Sequence, residues 1–484
     1  MPKLLKRKIG YGLGDMASSM FWKIFSYYLP FFYSNVFGLS LIDAGILVMV
    51  TRLWDAVSDP MMGVVADRTD TRMGKYRPYL LWFALPFAVC GVLLFTTPDT
   101  SYAGKLIWAY ITYILMMTVY TGINVPYGAM LGVITDSPEQ KTVFSSFRML
   151  FAYAGSFVAL AAWEPMCTFF SSTLGMTEAG AWQWAMIVIA IACLALFLFC
   201  FALTREVVHT RSVVSVGSDF KALLKNRPWW ILIGAALSFN MFSTVRGATV
   251  AYFFADVIGA DAHMWLFGLS VLFYSGLFLS VGEVANMAGV ALAVPVVRRM
   301  GKKPAFMAVN ALLVVLSVMF FFLPVSAAGF FLMLVFQVLI SVLTGIMSPL
   351  VWSMYADVAD YSEHRFHTAS TGLIFSSSSM AQKFGGAIGG AAVLWLLDAC
   401  GYVTASGGAA ALQPGSAITC LWTLMTFIPA GVAVVAIVAA WFYPLDTARV
   451  RVIADELRVR RAAPASTLGQ TEKEAAKNFA QINA

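Results

Sequence analysis

The tetrapeptide Arg72-Met73-Gly74-Lys75 recurs later in the chain as Arg299-Met300-Gly301-Lys302. Each copy follows one long apolar segment and precedes another. A match of four residues can arise by chance, but the matched placement favours duplication, because weak internal symmetry of this kind accompanies structural repeats. The sequence therefore predicts a fold of two similar halves, each with one copy of the tetrapeptide.

The chain around the repeat is strongly apolar. Of its 484 residues, 60% are hydrophobic and 12% are charged, and the mean hydropathy is +0.78. A soluble domain carries about 25% charged residues, and a helix needs about 20 apolar residues to cross a bilayer. The pattern predicts an all-α polytopic membrane protein with twelve transmembrane helices. The predicted spans are 9–36, 41–66, 78–97, 105–135, 142–165, 182–204, 228–257, 263–296, 304–324, 328–358, 367–398 and 416–443.

Two six-helix halves follow from these spans and from the repeat. They are residues 1–204 and 228–444, connected by a polar segment at 205–227. A tail at 445–484 begins with an amphipathic stretch and ends in small and polar residues, a composition that predicts partial disorder.

Basic residues are concentrated in alternate loops between the predicted spans. One set of loops holds nearly all of them, whereas the other set holds Lys105 and little else. Because cytoplasmic loops carry such an excess, both termini are expected in the cytoplasm. The net charge of +7 then needs no nucleic-acid partner. The basic set before the tail is Lys3, Lys6, Arg7, Lys8, Arg68, Arg72, Lys75, Arg77, Lys141, Arg205, Arg211, Lys221, Lys225, Arg227, Arg298, Arg299, Lys302, Lys303 and Arg365.

No pattern of a catalytic or cofactor site is evident in the sequence. The four histidines have no H-E-x-x-H spacing, there is no phosphate-binding loop, and the six cysteines form no C-x-x-C pair. We therefore expect no enzyme activity and no cofactor. The cysteines are expected to pack in apolar surroundings.

The strongest functional signal is residues 51–60 (TRLWDAVSDP) in the second span. Helical spacing places Asp55 and Asp59 one turn apart on one face, with Arg52 and Ser58 beside it. Two carboxylates in a low-dielectric site repel each other, so a proton, a metal cation or Arg52 must offset them. Oxygen ligands suit Na⁺ or H⁺ better than a soft metal. The alternative is a structural Arg52–Asp55 ion pair, with Asp59 facing a helix end.

The fourth span contributes Thr121 and Asn124 beside Pro126. Proline frees a backbone carbonyl one turn earlier, and both polar side chains lie on the face that can use it. We expect Thr121 to supply an oxygen to the cation and Asn124 to bond a hydroxyl of the substrate. Packing between helices by small polar residues is the alternative. Tyr120 and Tyr127 are candidates for stacking on an apolar substrate face.

Five motifs occur in an order that resembles one family. They are YGLGD at 11–15, RxWDxxxDP at 52–60, RxGKxRP at 72–78, NVPY at 124–127 and ADxxDY at 356–361. Together they resemble the glycoside-pentoside-hexuronide:cation symporters of the major facilitator superfamily, the group of melibiose permease and of the xyloside and glucuronide transporters. The likeness covers spans one to eleven. It implies a carrier of glycosides or related sugars, driven by Na⁺ or H⁺, in a bacterial inner membrane.

A cation site is implied by the resemblance. Asp55, Asp59 and Thr121 match the family's cation ligands. Ser58 stands where sodium-using relatives tend to have asparagine, so Na⁺ and H⁺ both stay open. Lys383 matches a lysine in span eleven near that site. On its sequence context alone Lys383 needs an anion, for which Asp55 or Asp59 is the natural candidate, and snorkelling to the membrane boundary is the alternative.

A sugar site is implied as well. Arg148 matches an arginine in span five that helps to hold the sugar. Ser19 and Asn124 stand where melibiose-type members carry aspartates that grip the sugar hydroxyls, which argues against a melibiose-like galactoside specificity. Asn124 is more similar to the xyloside and glucuronide branch. With Tyr120, Tyr127 and Lys383, these residues form the expected substrate site.

Lys23 in span one has no counterpart in the family pattern. It lies about one turn from Ser19, so we include it among the expected substrate-binding residues. A cation without a partner in the cavity favours an anionic substrate, such as a uronide or an acidic glycoside. An ion pair of Lys23 with Asp15 or Glu283 is the alternative.

Alternating access is the implied mechanism, in which the two halves rock about a central site. A cation at Asp55 and Asp59 removes their repulsion and raises the affinity for sugar, and linkage makes this effect mutual. Acidic and basic loop residues are expected to pair across the halves when the cytoplasmic side is shut. These gating candidates are Asp67, Arg72, Lys75 and Arg77 in one half and Asp357, Asp360 and Glu363 in the other.

The expected partners are a small sugar, a monovalent cation and membrane lipid. A carrier of lysolipid or another amphiphile on the same scaffold is the alternative function. A channel is disfavoured because the two predicted halves contain buried charges.

Overall fold

The computed structural model describes residues 2–131, 133–135, 138–207, 224–259, 262–266, 269–366, 371–404 and 412–462. Most of the predicted polar connection lies outside these ranges. The end of the predicted tail, for which the composition predicts disorder, lies outside them as well.

Helices make up most of the described chain, and each predicted span corresponds to one helix or to two consecutive helices. Turns of π-helix extend three of them, and two short antiparallel strands precede the ninth helix. The helices are α1 (Pro2–Phe31), α2 (Leu41–Arg68), α3 (Arg77–Trp82), α4 (Ala84–Leu94), α5 (Tyr102–Met130), α6 (Pro138–Thr168), α7 (Glu178–Leu203), α8 (Arg227–Phe253), α9 (Ser275–Met300), α10 (Lys302–Phe320), α11 (Ala327–Phe366), α12 (Thr371–Ala399), α13 (Gly415–Met425), α14 (Phe427–Trp441) and α15 (Thr447–Ala462). The π-helical turns are Phe32–Val36, Phe169–Thr173 and Phe254–Ile258, and the strands are β1 (His263–Leu266) and β2 (Leu269–Leu272).

Nine segments within the described ranges are helical, long and apolar enough to cross a membrane. The other predicted spans correspond to α1, α2 and the α3–α4 pair. Helices α1 and α2 contain several ionisable residues, which lower their hydropathy, and α3 and α4 are each short. The prediction of an all-α polytopic membrane protein is confirmed.

Three predicted spans differ from the observed helices. The span predicted at 263–296 begins as the β1–β2 hairpin, and its helix starts at Ser275. A short apolar run does not distinguish a strand from a helix, which explains the error. The spans at 78–97 and 416–443 are each divided into two helices near Pro86 and Pro429, because proline cannot donate the hydrogen bond of a regular helix.

The two copies of the tetrapeptide share a backbone feature. Gly74 has a φ of 118° and Gly301 has a φ of 83°, a region that favours glycine because it has no Cβ atom. Gly74 lies between α2 and α3, and Gly301 lies between α9 and α10. Equivalent turns at equivalent places are what a duplication predicts.

Helices α9 and α11 cross closely through two glycines. A Cβ atom on Gly289 would collide with the backbone of α11, and one on Gly345 would collide with the backbone of α9. Small residues allow such an approach between helices in a membrane. The crossing forms one wall of the cavity described below.

Hydrogen bonds join the predicted halves at the end of the bundle where α1 ends. The Tyr28 hydroxyl lies 3.0 Å from Ser275 Oγ and donates to Glu164 Oε1 at 3.2 Å. Ser34 Oγ lies 2.7 Å from the Tyr252 hydroxyl. The larger of the two apolar clusters in the core also contains residues from both predicted halves. The two groups of helices are therefore in close contact at this end.

Candidate functional site

Helix α2 carries both predicted carboxylates. Its first turn is capped by Ser40, whose hydroxyl accepts a hydrogen bond from the Asp43 backbone N–H. The helix continues through Pro60 without a break. Asp55 is 0% exposed, and Asp59, one turn further on, is half-buried. A fully buried carboxylate needs a nearby cation or several donors to stay charged.

Thr121 on α5 lies between the two carboxylates. Its hydroxyl is 3.1 Å from Asp55 Oδ1 and 2.9 Å from Asp59 Oδ1. Ser58 Oγ is 3.4 Å from the same hydroxyl. A hydroxyl has one proton and donates to one carboxylate at a time. The group therefore has more acceptors than donors, which is the chemistry that a hard monovalent or divalent cation requires.

Lys383 on α12 completes this group. Its Nζ lies 3.0 Å from Asp55 Oδ2 and also forms an ion pair with Asp59. We call Asp55, Ser58, Asp59, Thr121 and Lys383 the acid cluster. It contains two carboxylates and one ammonium, and its members come from α2, α5 and α12. The ammonium lies inside the bundle beside the carboxylates, which differs from the snorkelling alternative.

Arg52 does not form the ion pair with Asp55 that was the structural alternative to a cation site. Its guanidinium lies over the rings of Trp22 and Phe25, 4.4 Å and 5.2 Å from their centres. Within the described ranges, the ion pair of Asp55 is with Lys383. Because Arg52 makes cation–π contacts with α1, it connects α2 to α1 and leaves the acid cluster to Lys383.

The residues expected to hold the sugar are spread along α1, α5 and α6. Arg148 Nε donates to Asp15 Oδ2 at 3.0 Å, and its guanidinium lies 5.4 Å from the centre of the Tyr127 ring. Asn124 Oδ1 is buried and has no hydrogen-bond partner among the described residues. Ser19 is half-buried. Asn124 thus has a free acceptor for a ligand hydroxyl, whereas Arg148 already has a carboxylate partner.

The two predicted stacking residues are part of the packed core. Tyr120 lies 5.1 Å from the ring of Trp22. Tyr127 stacks on Tyr11 at 4.8 Å, and its hydroxyl donates to the backbone oxygen of Tyr11 at 2.5 Å. Both rings are buried. In this structure they hold helices together, which differs from the expected stacking on substrate.

A cavity of about 210 Å³ lies beside α1, among α8, α9 and α11. Of the substrate residues predicted from the sequence, Lys23 lines this cavity. Its Nζ donates to Glu283 Oε1 at 2.6 Å and to the Tyr27 hydroxyl at 3.3 Å. The expectation that Lys23 lacks a partner was wrong, because Glu283 is itself buried and needs a cation. The alternative, an ion pair with Glu283, is the one observed.

Asp357, a gating candidate, is held within its own half. Its carboxylate pairs with Lys302 Nζ at 2.6 Å. Lys302 is the lysine of the second tetrapeptide. Asp357 is buried, and a buried carboxylate needs a cation, which Lys302 supplies. The predicted pairing of Asp357 with the basic loop of the other half is not formed in this structure and stays a prediction for a different state.

The gating candidates of the first half are held by a residue that the sequence analysis missed. The carboxylate of Glu206 accepts hydrogen bonds from the backbone N–H groups of Lys75, at 2.8 Å, and Arg77, at 2.6 Å. Arg77 Nε donates to the Phe201 carbonyl at 2.9 Å. Glu206 is the second residue of the predicted connection between the halves, and its charge alone did not indicate a partner distant in sequence.

The remaining gating candidates are Arg72, Asp360, Glu363 and Asp67. Arg72 is exposed, Asp360 is half-buried and has interaction partners, and Glu363 likewise has partners. The side chain of Asp67 lies outside the described part of the structure.

Glu164 and Arg246 are two further intramembrane residues to which the sequence analysis gave no role. Glu164 accepts hydrogen bonds from Tyr28 of its own predicted half and from Ser275 of the other. It was placed at the end of the span predicted at 142–165, whereas α6 and its π-helical turn continue to Thr173. Arg246 is a charge within the span predicted at 228–257, but its surroundings are formed by helices that are distant in sequence.

Comparison with known proteins identifies the class. The family described as "MFS/sugar transport protein" matches residues 10–447. An inner membrane symporter of Escherichia coli is 34% identical, over 94% of this chain and 95% of the relative. A putative glycoside/cation symporter of the same organism is 35% identical, over 95% of this chain and 96% of the relative. The structure of a bacterial homologue of the human drug peptide transporters aligns with a TM-score of 0.67 at 13% identity, over 94% of this chain and 99% of the other.

These findings establish a membrane transporter. The chain belongs to the family of MFS/sugar transport proteins, as the resemblance of its motifs predicted, and the members to which it is similar are transporters and not enzymes. The likeness to the peptide transporter homologue shows the fold.

Proposed function

We propose that this protein moves a glycoside or a related sugar across the membrane together with a monovalent cation that binds at the acid cluster. Its relatives include named symporters, one of them described as a putative glycoside/cation symporter. The observation that carries the proposal is the geometry around Thr121, whose single hydroxyl lies within 3.1 Å of both Asp55 and Asp59.

In the absence of the coupling cation, the ammonium of Lys383 occupies its position. Its Nζ contacts both carboxylates, and one ammonium compensates one of the two negative charges. A bound Na⁺ or H⁺ supplies the missing charge and displaces Lys383 from at least one carboxylate. Because Lys383 belongs to α12 and the carboxylates belong to α2, its displacement changes the contact between the two predicted halves.

The proposed orientation places both termini in the cytoplasm, as the distribution of basic residues favours. The end of the bundle joined through Tyr28, Ser275 and Glu164 is then the outer end. Contact at that end, together with an Asp357–Lys302 pair confined to one half, corresponds to a state that is closed to the outside. Transport then requires that the outer contacts open while the inner loops pair.

Uptake by reconstituted vesicles tests the proposal. We expect phenyl β-D-glucoside or phenyl β-D-glucuronide to accumulate when a Na⁺ gradient or a proton gradient is imposed, and the effective gradient identifies the cation. Asp55→Asn should lower this uptake by about 100-fold, the order expected when a charged ligand is lost. Thermal stability of the purified protein with each probe and with lysolipid provides a second measurement.

Asp43→Asn is the matched control, because Asp43 is on the same helix but bonds Ser40 at the helix start. It should leave uptake within about twofold of the unsubstituted protein, as for a surface substitution. Equal losses in both variants, or no uptake with either gradient, would argue against the proposal. Stabilisation by lysolipid and by neither glycoside would favour the amphiphile carrier.

A further inference from the structure

Arg246 on α8 is a buried cation that the proposed coupling does not use. It is 5% exposed. Its Nη1 donates to the Met425 carbonyl at 2.9 Å, and its Nη2 donates to Gln337 Oε1 at 3.0 Å. Both acceptors are neutral, and its Nε has no acceptor among the described residues. Its guanidinium also lies 4.8 Å from the centre of the Phe320 ring. A ring face compensates a buried charge less than an anion does, so the guanidinium still lacks an anionic partner in the described part of the chain.

Arg246 lines the same cavity as Lys23 and Glu283. Lys23 and Glu283 compensate each other at 2.6 Å. Of the described residues around the cavity, these three are the charged ones, so two cations face one carboxylate. The cavity therefore has an excess of positive charge, and this charge resides on Arg246.

The rest of the cavity is suited to a sugar. Its wall contains the rings of Tyr27 and Tyr153, against which an apolar face can pack. Its volume is below the range of about 300–1,000 Å³ of sites for drug-sized ligands, so it suits the sugar ring of a glycoside, and the aglycone would extend beyond it. Hydroxyl and amide groups that can bond sugar hydroxyls come from Ser243, Asn286, Gln337, Ser341, Thr344 and Ser348.

We propose that the substrate is an anionic sugar whose carboxylate binds Arg246 in this cavity, as in a glycoside of a uronic acid. This inference rests on the proposed function and names the substrate class of the same transporter. A carboxylate supplies the acceptor that Nε lacks and neutralises the guanidinium, and charged hydrogen bonds of this kind are strong. The role that the sequence suggested for Lys23 belongs to Arg246, since Lys23 already has Glu283.

Arg246 also has a structural contact that the test must separate from substrate binding. Pro429 has no N–H, so the Met425 carbonyl lacks its regular helical donor, and Arg246 Nη1 replaces it. A purely structural role predicts equal effects of a substitution on every substrate. A binding role predicts a change in the preference for the carboxylate.

Binding to the unsubstituted protein provides the first arm of the experiment. The probes are phenyl β-D-glucuronide, its methyl ester and phenyl β-D-glucoside, and their affinities are measured with the purified protein. We expect the glucuronide to bind about 10- to 100-fold more tightly than the ester, the range expected for a charged hydrogen bond. This arm needs no variant, so impaired folding of a variant does not affect it.

Two variants form the second arm. Arg246→Met should remove the preference for the glucuronide while the affinity for the glucoside changes by less than about threefold. Arg246→Lys keeps the positive charge and should retain part of the preference. The inference is supported if the ratio of glucuronide to glucoside affinity is lost in Arg246→Met and falls less in Arg246→Lys.

The remaining outcomes separate the two proposals. If the ester or the glucoside binds as well as the glucuronide, or if Arg246→Met weakens all probes equally, the anionic substrate is refuted while sugar transport stands. If no probe binds to the unsubstituted protein and no glycoside is taken up, the proposed function fails and this inference fails with it.

Discussion

The acid cluster and the cavity beside Arg246 have opposite charge imbalances. The acid cluster has two carboxylates and one ammonium, and the ammonium contacts both carboxylates. The cavity has two cations, Lys23 and Arg246, and one carboxylate, Glu283. One site lacks a positive charge and the other lacks a negative charge. A sugar acid and a cation would therefore each complete one site.

This difference gives a physical reason for symport. Each ligand alone leaves the other site uncompensated, and uncompensated charges inside a membrane protein are costly. Both sites also connect the predicted halves, the acid cluster through α2 and α12 and the cavity through the Lys23–Glu283 pair of α1 and α9. Ligands that act on both connections bias the same movement of the halves, which is the condition for coupling between sites.

The largest effect is expected when the ion pair between the halves is broken. Lys23→Met leaves Glu283 buried without a cation, and Glu283→Gln leaves Lys23 without an anion. Each single substitution should lower the stability of the protein by about 3 kcal/mol, the order for a broken buried pair. The double variant should recover part of that loss, because the unpaired charge is gone. Thermal unfolding in detergent measures both effects.

The same variants separate Lys23 from Arg246. Since Lys23 and Glu283 neutralise each other, the double variant leaves the net positive charge of the cavity on Arg246 and should alter the ratio of glucuronide to glucoside affinity by less than about threefold. A loss of the preference for the glucuronide comparable to that of Arg246→Met would assign the anion to Lys23 and would remove the distinction between paired and unpaired cations in the cavity.

A smaller effect is expected at the acid cluster. Lys383→Met removes the ammonium that competes with the cation, and it leaves two carboxylates that repel each other. The apparent affinity for the coupling cation should rise about tenfold, the change that 1.4 kcal/mol produces. Half-saturation of cation-dependent stabilisation measures it. The matched control is Lys105→Met, because Lys105 bonds the Phe37 carbonyl outside the cluster. An unchanged or weaker affinity in Lys383→Met would show that Lys383 does not compete.

The two sites differ in how far the sequence predicts them. The spacing of Asp55 and Asp59 on α2 is local, so helical periodicity alone places them together. Thr121 and Lys383 were predicted to join this site because a hydroxyl beside a proline and a lysine inside a span have few other roles. The resemblance of the motifs to a known family gave the second reason. The apolar runs likewise predicted the helical fold.

The cavity could not be predicted from the sequence, and the reason is physical. Arg246, Glu283 and Gln337 lie on α8, α9 and α11, and nothing in the spacing along the chain indicates that these helices meet around one space. The crossing of Gly289 and Gly345 that brings α9 and α11 together is equally invisible in one sequence. Tyr127 illustrates the converse, since its aromatic ring beside a polar motif predicted a ligand contact but stacks on Tyr11.

The smallest effects are expected when the hydroxyl groups of the acid cluster are removed. Their relative size shows which hydroxyl binds the coupling cation. Thr121 is 3.1 Å or less from both carboxylates, whereas Ser58 reaches only Thr121, at 3.4 Å, and the Asp55 backbone oxygen, at 3.2 Å. Thr121→Val should therefore weaken the coupling cation about fivefold and Ser58→Ala about twofold, within the range for single hydrogen bonds. Cation-dependent uptake measures both. The reverse order would move the cation from the space between the carboxylates towards Ser58.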